Sequence, residues 1–322
     1  MKKNSIIWVA GRNGLVGSSL IKELESQGYG NVINPEKDYE FDSSRQYAYD
    51  LRNIEHVFEL MRKFKPEYVF LAAARVGGIV MNDNRSAEMI HDNLQIQNNV
   101  IYAAEKTGVK KLLFLGSSCI YPKLCPQPIK EEYLLTGQLE PTNIGYAVAK
   151  IAGITMCEMY RKQYGSNFIS VMPTNLYGPG DNFHLENSHV MPAMIRKFHE
   201  AKKSGAKFIE LWGSGSPKRE FLYINDLAKS LVFLMNEYDD AQHINIGVGE
   251  DISISDLANL VAKVVGFEGS ILWDASKPDG TPRKLLDVSK LNRLGWEATT
   301  ELEDGIKKTY KWFLANQKTL RT

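Results

Sequence analysis

The chain has 322 residues, 43% hydrophobic and 24% charged, the balance of a globular protein with room for a sizeable core. With Lys+Arg at 39 and Asp+Glu at 38, its formal net charge is +1. That near-neutrality, without a long run of either sign, argues against nucleic-acid or membrane-surface binders, which concentrate positive charge.

In chain order, Ser5 to Ala10 reads as a short buried strand, apolar and β-branched. The apolar run breaks at Gly11, too early for a secretory leader, and no later run approaches the roughly 20 residues of a membrane span. The strand leads at once into Gly11-Arg12-Asn13-Gly14-Leu15-Val16-Gly17 and then a helical pattern through Leu20, Ile21 and Leu24. Strand, glycine turn and helix form the setting in which such glycines bind a dinucleotide. The first permits a tight turn, the second lets backbone approach a pyrophosphate, and the third lets helix and strand pack closely.

A second strand is expected at Asn31 to Asn34. No clean acid stands at its end to hold ribose hydroxyls, and Arg12, with Lys37 or Arg45 as helpers, suits a 2′-phosphate, so NADP(H) is the expected cofactor. Asp50 either reaches an adenine ring or caps the next helix. Tyr68 to Ala74 reads as a strand ending in small residues, Ala72 among them, against which a cofactor can lie. A long helix, about Ala87 to Thr107, leads to a strand at Lys111 to Leu115. At its carboxyl end stand Leu115, Gly116, Ser117, Ser118 and Cys119. A further strand, Phe168 to Met172, ends in Pro173-Thr174-Asn175-Leu176. Carboxyl ends of parallel strands are where open α/β sheets build their sites.

Between those two strands lies Tyr146-Ala147-Val148-Ala149-Lys150. Residues four apart share a helix face, and an ammonium beside a phenol favours the phenolate. A tyrosine tuned downward in this way would hand a proton to a carbonyl oxygen. Alone the spacing is common in ordinary amphipathic helices; its company gives it weight.

Strands alternating with helices over roughly the first 180 residues predict a doubly wound parallel sheet. After Gly178 the pattern loosens into glycine-marked loops, while Phe221 to Asn225 and His243 to Gly247 are expected to rejoin the sheet. The resulting division is 1–178 with returning segments near 221–247, and a smaller lobe from 179–220 and 248–322. Three cysteines without zinc-ligand spacing (Cys119, Cys125, Cys157) imply no metal and a reducing cytoplasm.

Gly11-x-x-Gly14-x-x-Gly17, the Ser117 region and Tyr146-x-x-x-Lys150 together resemble the extended short-chain dehydrogenase/reductases, which have a Rossmann-type sheet. Within them the chain is similar to the GDP-L-fucose synthase family. LAAARVGGIV, LLFLGSSCIYPK, EPTNIGYAVAKIAG, SVMPTNLYGPGDNFH, NSHVMPA, LWGSGSPKREFLY and DASKPDGTPRKLLDVSKL carry that similarity across nearly the whole length. The resemblance implies NADPH-dependent conversion of GDP-4-keto-6-deoxy-D-mannose to GDP-L-fucose. Tyr146 would be the proton donor at C4, Lys150 its partner on the nicotinamide ribose, and Ser117 a hydrogen bond to the oxygen. Cys119 and His189, which also borders the cofactor, would be the acid and base of epimerisation at C3 and C5. Lys197, Trp212, Arg219 and Asp279 would hold the GDP-sugar. The family also implies a homodimer built on the Tyr-Lys helix.

The stretch PEKDYEFDSSRQYAYDLRN departs from the family pattern. It raises an alternative: a branch that reduces C4 of a related GDP-4-keto sugar, a heptose or dideoxyhexose, with epimerisation reduced or lost. A 4,6-dehydratase would resemble Thr-Asp-Glu at Ser117-Ser118-Cys119. A 4-epimerase would not need Cys119 with His189, and a dinucleotide sensor would commonly lack Tyr146 or Lys150.

Overall fold

The computed structural model describes residues 1–35, 49–185, 188–277 and 279–320. Lys37 and Arg45, proposed as helpers of Arg12, lie outside the described residues.

In chain order, strand β1 (Ile7–Ala10) is followed by helix α1 (Leu15–Ser26), α2 (Ile54–Phe64), β2 (Tyr68–Leu71), α3 (Ile79–Asn84) and α4 (Ser86–Lys106). Next come β3 (Lys111–Leu115), α5 (Ile144–Tyr164), β4 (Phe168–Pro173), β5 (Asn175–Tyr177) and α6 (Val190–Ser204). Then follow β6 (Phe208–Trp212), β7 (Lys218–Arg219), β8 (Phe221–Tyr223), α7 (Ile224–Glu237) and β9 (Ile244–Ile246). The C-terminal part adds β10 (Ile252–Ser253), α8 (Ile254–Val265), β11 (Ser270–Asp274), β12 (Arg283–Lys284), α9 (Ser289–Arg293) and α10 (Leu302–Asn316).

Five strands form one parallel sheet in the order β1-β2-β3-β4-β9. Their near-continuous apolar runs follow from burial on both faces. Alternate residues feed two cores: Trp8, Val69 and Phe114 pack with α2, α4 and α5, while Ile7, Phe70 and Leu113 pack with α1 and α7. This is the doubly wound arrangement expected, with a third, smaller core of Phe198, Leu257 and Phe313 under the parallel pair β6–β11.

Two strand expectations change. Asn31 to Asn34 contributes only a single parallel bridge, Ile7 to Val32, at the outer side of β1. Residues 221–223 do not join the main sheet: the place beside β4 is filled by β9, and β8 pairs instead with β5. No helix among the described residues is long and apolar enough to cross a membrane.

Candidate active site

The turn after β1 is as tight as its glycines suggest. Gly11 has φ +91°, and a Cβ there would sit 2.7 Å from the backbone nitrogen of Ala73. A Cβ on Gly17 would lie 2.2 Å from the carbonyl oxygen of Gly11. Gly14 is the N-cap of α1 and supplies no side-chain cap, so the first amides, at Leu15 and Val16, face the loop as an anion site. The cradle therefore fits a pyrophosphate. Arg12 donates to the carbonyl of Ile33 at 3.1 Å, which fixes its guanidinium at the end of the segment bridged to β1. Asn13 completes the turn.

Ala72 continues the ladder through a bond to the Ala10 carbonyl at 3.0 Å, and the following backbone is pinned by Asn93, whose amide spans both main-chain groups of Arg75. Asp50 is not the helix cap: Asn53 caps α2 by accepting from Glu55 N at 2.9 Å. Asp50 is instead held by Arg52, whose hydrogen bonds pull its carboxyl below the usual range.

Leu115 and Gly116 end β3, and Ser117 caps a short 3₁₀ turn, Ser118–Ile120, by accepting from Cys119 N at 3.3 Å. Pro173 ends β4, and Thr174, Asn175 and Leu176 turn the chain into β5; Thr174 and Asn175 both donate to the Glu220 carbonyl.

Tyr146 and Lys150 lie one turn apart on α5. Lys150 is 3% exposed and donates to the Leu115 carbonyl at 2.8 Å, with Nζ 5.8 Å from the Tyr146 ring centroid and 4.8 Å from that of Phe114. Burial pushes its pKa down to about 7. The phenol is not tuned downward as the spacing implied. Burial raises it and the Cys119 charge adds to that, while a hydrogen bond with Ser117 opposes both. The reason is desolvation of both groups, together with an ammonium engaged by a carbonyl and not by the phenol. The geometry thus gives a phenol that keeps its proton at neutral pH.

His189 is the N-cap residue of α6, but its side chain makes no cap bond. The residue is exposed to solvent, while the atoms packed around its ring and the Lys284 charge lower its pKa. Cys119 accepts a hydrogen bond from Lys284 Nζ at 3.9 Å. Arg219, on β7, interacts with the charges of Cys119, Glu140 and Asp279, though burial lowers its own pKa. The structure therefore brings Ser117, Tyr146, Lys150 and Arg219 together around Cys119, with His189 linked to it through Lys284.

The outer wall is more open. Trp212 is 51% exposed at the end of β6, with Lys197 Nζ 5.7 Å from its ring and Lys277 Nζ at 5.5 Å. Asp279 accepts from Ser214 N at 2.7 Å and Ser214 Oγ at 2.8 Å, tying down the turn after Trp212. Glu140 and Lys284 line the cleft beside Cys119 but were not singled out from sequence. Both lie inside motifs quoted above, which was the available signal. Among the described residues no cluster of three His, Cys, Asp or Glu is placed to hold a metal.

The NAD dependent epimerase/dehydratase family model matches residues 7–247. GDP-L-fucose synthase 1 of Arabidopsis thaliana is 55% identical over 314 residues, 98% of this chain and 94% of that protein. A gdp-l-fucose synthetase from Naegleria fowleri bound to NADP has a TM-score of 0.88 at 31% identity, covering 100% of this chain and 98% of that one. A GDP-mannoheptose C4 reductase from Campylobacter jejuni with NADP bound has a TM-score of 0.87 at 38% identity, covering 98% and 99%. The chain belongs to the NAD dependent epimerase/dehydratase family, the extended short-chain dehydrogenase/reductases. Within that family its place is among the GDP-L-fucose synthases.

Proposed function

We propose that the protein is an NADPH-dependent 3,5-epimerase/4-reductase that converts GDP-4-keto-6-deoxy-D-mannose to GDP-L-fucose. The observation that carries this reading is that a reductase group, Ser117, Tyr146 and Lys150, neighbours an acid/base pair, Cys119 and His189. Heptose C4 reduction is the weaker reading, because the heptose reductase above is 38% identical and the fucose synthase 55%.

Both reactions use the C4 ketone. Removing a proton from C3 or C5 places negative charge on the C4 oxygen, where Ser117 and Tyr146 stabilise it. Cys119 and His189 exchange the ring protons. For reduction, Tyr146 gives its proton to the same oxygen.

NADP(H) supplies the hydride. Gly11, Asn13, Gly14, Leu15, Val16 and Gly17 would hold the pyrophosphate, Arg12 the 2′-phosphate, and Asp50 and Ala72 the adenosine side. Leu115, Gly116, Ser118, Lys150, Pro173, Thr174, Asn175, Leu176 and His189 would flank the nicotinamide half. Lys197 and Arg219 suit a diphosphate, with Trp212 a stacking surface and Asp279 an acceptor that also shapes that turn.

On this reading residues 1–178, with 221–247, bind the cofactor, and 179–220 with 248–322 bind the sugar nucleotide. A cytoplasmic setting is supported by three cysteines that form no disulfide among the described residues. A homodimer through α5 is supported by exposed Ile144, Val148, Met159 and Tyr164. A monomer by sedimentation at assay concentration would remove the dimer, and a disulfide found in protein isolated from cells would count against the compartment.

The test is incubation with GDP-4-keto-6-deoxy-mannose and NADPH in deuterated water, with the product sugar identified by NMR. GDP-L-fucose deuterated at C3 and C5 is expected. A reduced but unepimerised sugar would reject the bifunctional reading. Equal affinities for NADPH and NADH would remove Arg12 from its role.

A further inference from the structure

Lys284 stands at the junction of the two residues assigned to epimerisation. It lies on β12, which runs parallel to β7 with Lys284 opposite Arg219 and Arg283 opposite Lys218. Successive strand residues point to opposite faces, and register partners share one. Arg283 is accordingly turned to Asp251, which it pairs through Nε. Lys284 is turned the other way, and its one hydrogen-bond partner among the described residues is Cys119 Sγ.

Three polar side chains meet there from separate elements. Cys119 comes from the turn after β3, Lys284 from β12, and His189 from the start of α6. Arg219 on β7 adds a second cation and Glu140 a carboxylate, itself paired with Lys123 at 3.0 Å. Lys284 is one of the two causes that lower the His189 pKa, burial being the larger. An ammonium beside sulfur stabilises negative charge there and opposes a proton on a neighbouring imidazole.

We propose that Lys284 is a positioning residue of the epimerisation step, holding Cys119 Sγ in place against the sugar ring beside His189. This rests on the function proposed above. In the step served, a C–H bond beside the C4 ketone breaks and its proton passes to one member of the pair. The electron pair delocalises onto the C4 oxygen. A new C–H bond then forms on the opposite face with a proton from the other member, and nothing is oxidised or reduced. Ketone reduction depends on Tyr146 and Lys150, which Lys284 does not touch.

The test compares the parent with Lys284→Met and Lys284→Arg in two reactions. One is wash-in of deuterium at C3 and C5 of GDP-4-keto-6-deoxy-mannose without NADPH. The other is oxidation of GDP-L-fucose by NADP, which needs C4 chemistry and no epimerisation. Lys284→Met should slow wash-in about tenfold to a hundredfold, the usual worth of acid–base assistance, while kcat and KM for fucose oxidation stay within about threefold. Lys284→Arg should recover most of the wash-in. Because oxidation is read on the same sample, misfolding cannot imitate this outcome. Parental wash-in in Lys284→Met would overturn the inference, as would a rise in KM for both reactions, which would make Lys284 a phosphate holder. A parent inactive in both reactions would sink the underlying function, and this inference with it.

Discussion

Tyr146 is the residue on which reduction turns. Its phenol is held in its protonated form by burial and by the nearby Cys119 charge, and Ser117 directs it. Tyr146→Phe removes the hydroxyl that gives a proton to the C4 oxygen in reduction and takes it back in oxidation, so GDP-L-fucose oxidation should fall by about a thousandfold, within the range general acid–base catalysis supplies. Near-parental turnover would reject the assignment. His189 offers a second check. Its pKa is lowered by burial and by Lys284, so its ring resonance, identified by loss in His189→Asn, should titrate below the ordinary value of 6.5. Between the folded value and 6.5 the unfolded chain binds the extra proton, so the contribution of His189 to stability is present above 6.5 and lost as pH falls through that window. Lys284→Met should move the titration upward; an unchanged midpoint would mean that burial alone sets it.

At the level of elements, the β1–α1 turn carries a prediction of its own. Gly17 has no room for a Cβ, which would meet backbone atoms of Gly11 and Arg12 at 2.2 and 2.7 Å. Gly17→Ala must therefore shift the loop, and NADPH affinity, read by fluorescence titration, should weaken about tenfold or more, since a misplaced cradle loses several charge-assisted bonds at once. Parental affinity would show that the loop does not hold the pyrophosphate. This turn was legible in sequence because its function depends on neighbours in the chain: strand, glycines and helix follow one another without a gap. The Tyr146–Lys150 spacing was legible for the same reason, although its electrostatic sign was not. Spacing places a lysine near a tyrosine, but the depth of burial, and the Leu115 carbonyl that engages the ammonium, belong to the tertiary structure. Contacts such as Lys284 to Cys119 join positions 165 apart and leave no periodic signal. Asp50 illustrates the converse, since local pattern allowed it to be a cap and the cap proved to be Asn53, three residues on.

Across the whole molecule, the cofactor sheet and the outer strands must hold a fixed relation if hydride and proton transfers are to meet at one sugar ring. Glu220, between β7 and β8 and 0% exposed, provides a tie between them. Its carboxylate accepts from Val248 N at 2.6 Å and Gly249 N at 2.8 Å, beyond β9, and from Leu286 N at 3.1 Å, just beyond β12. Gly247 leaves it space, because a Cβ there would come within 2.1 Å of the carboxylate. Burial raises its pKa and those backbone bonds pull the other way. Its chain neighbour Arg219 and the Lys284 strand are thus held over the cleft by one buried group. Glu220→Ala strands the buried Leu286 N–H, at roughly 1–3 kcal/mol, and removes the acceptor of the part-buried Val248 and Gly249 N–H groups, so urea denaturation should show a loss of about 2 kcal/mol or more. Glu210→Ala, at an exposed position on β6, should stay within about 0.5 kcal/mol. Because Glu220 also fixes Arg219 and Lys284, the folded fraction of Glu220→Ala should lose ring-proton wash-in by a larger factor than NADPH affinity, which depends on the distant β1–α1 turn. Equal losses in both would mean that Glu220 supports the fold generally and does not register the outer strands on the sheet.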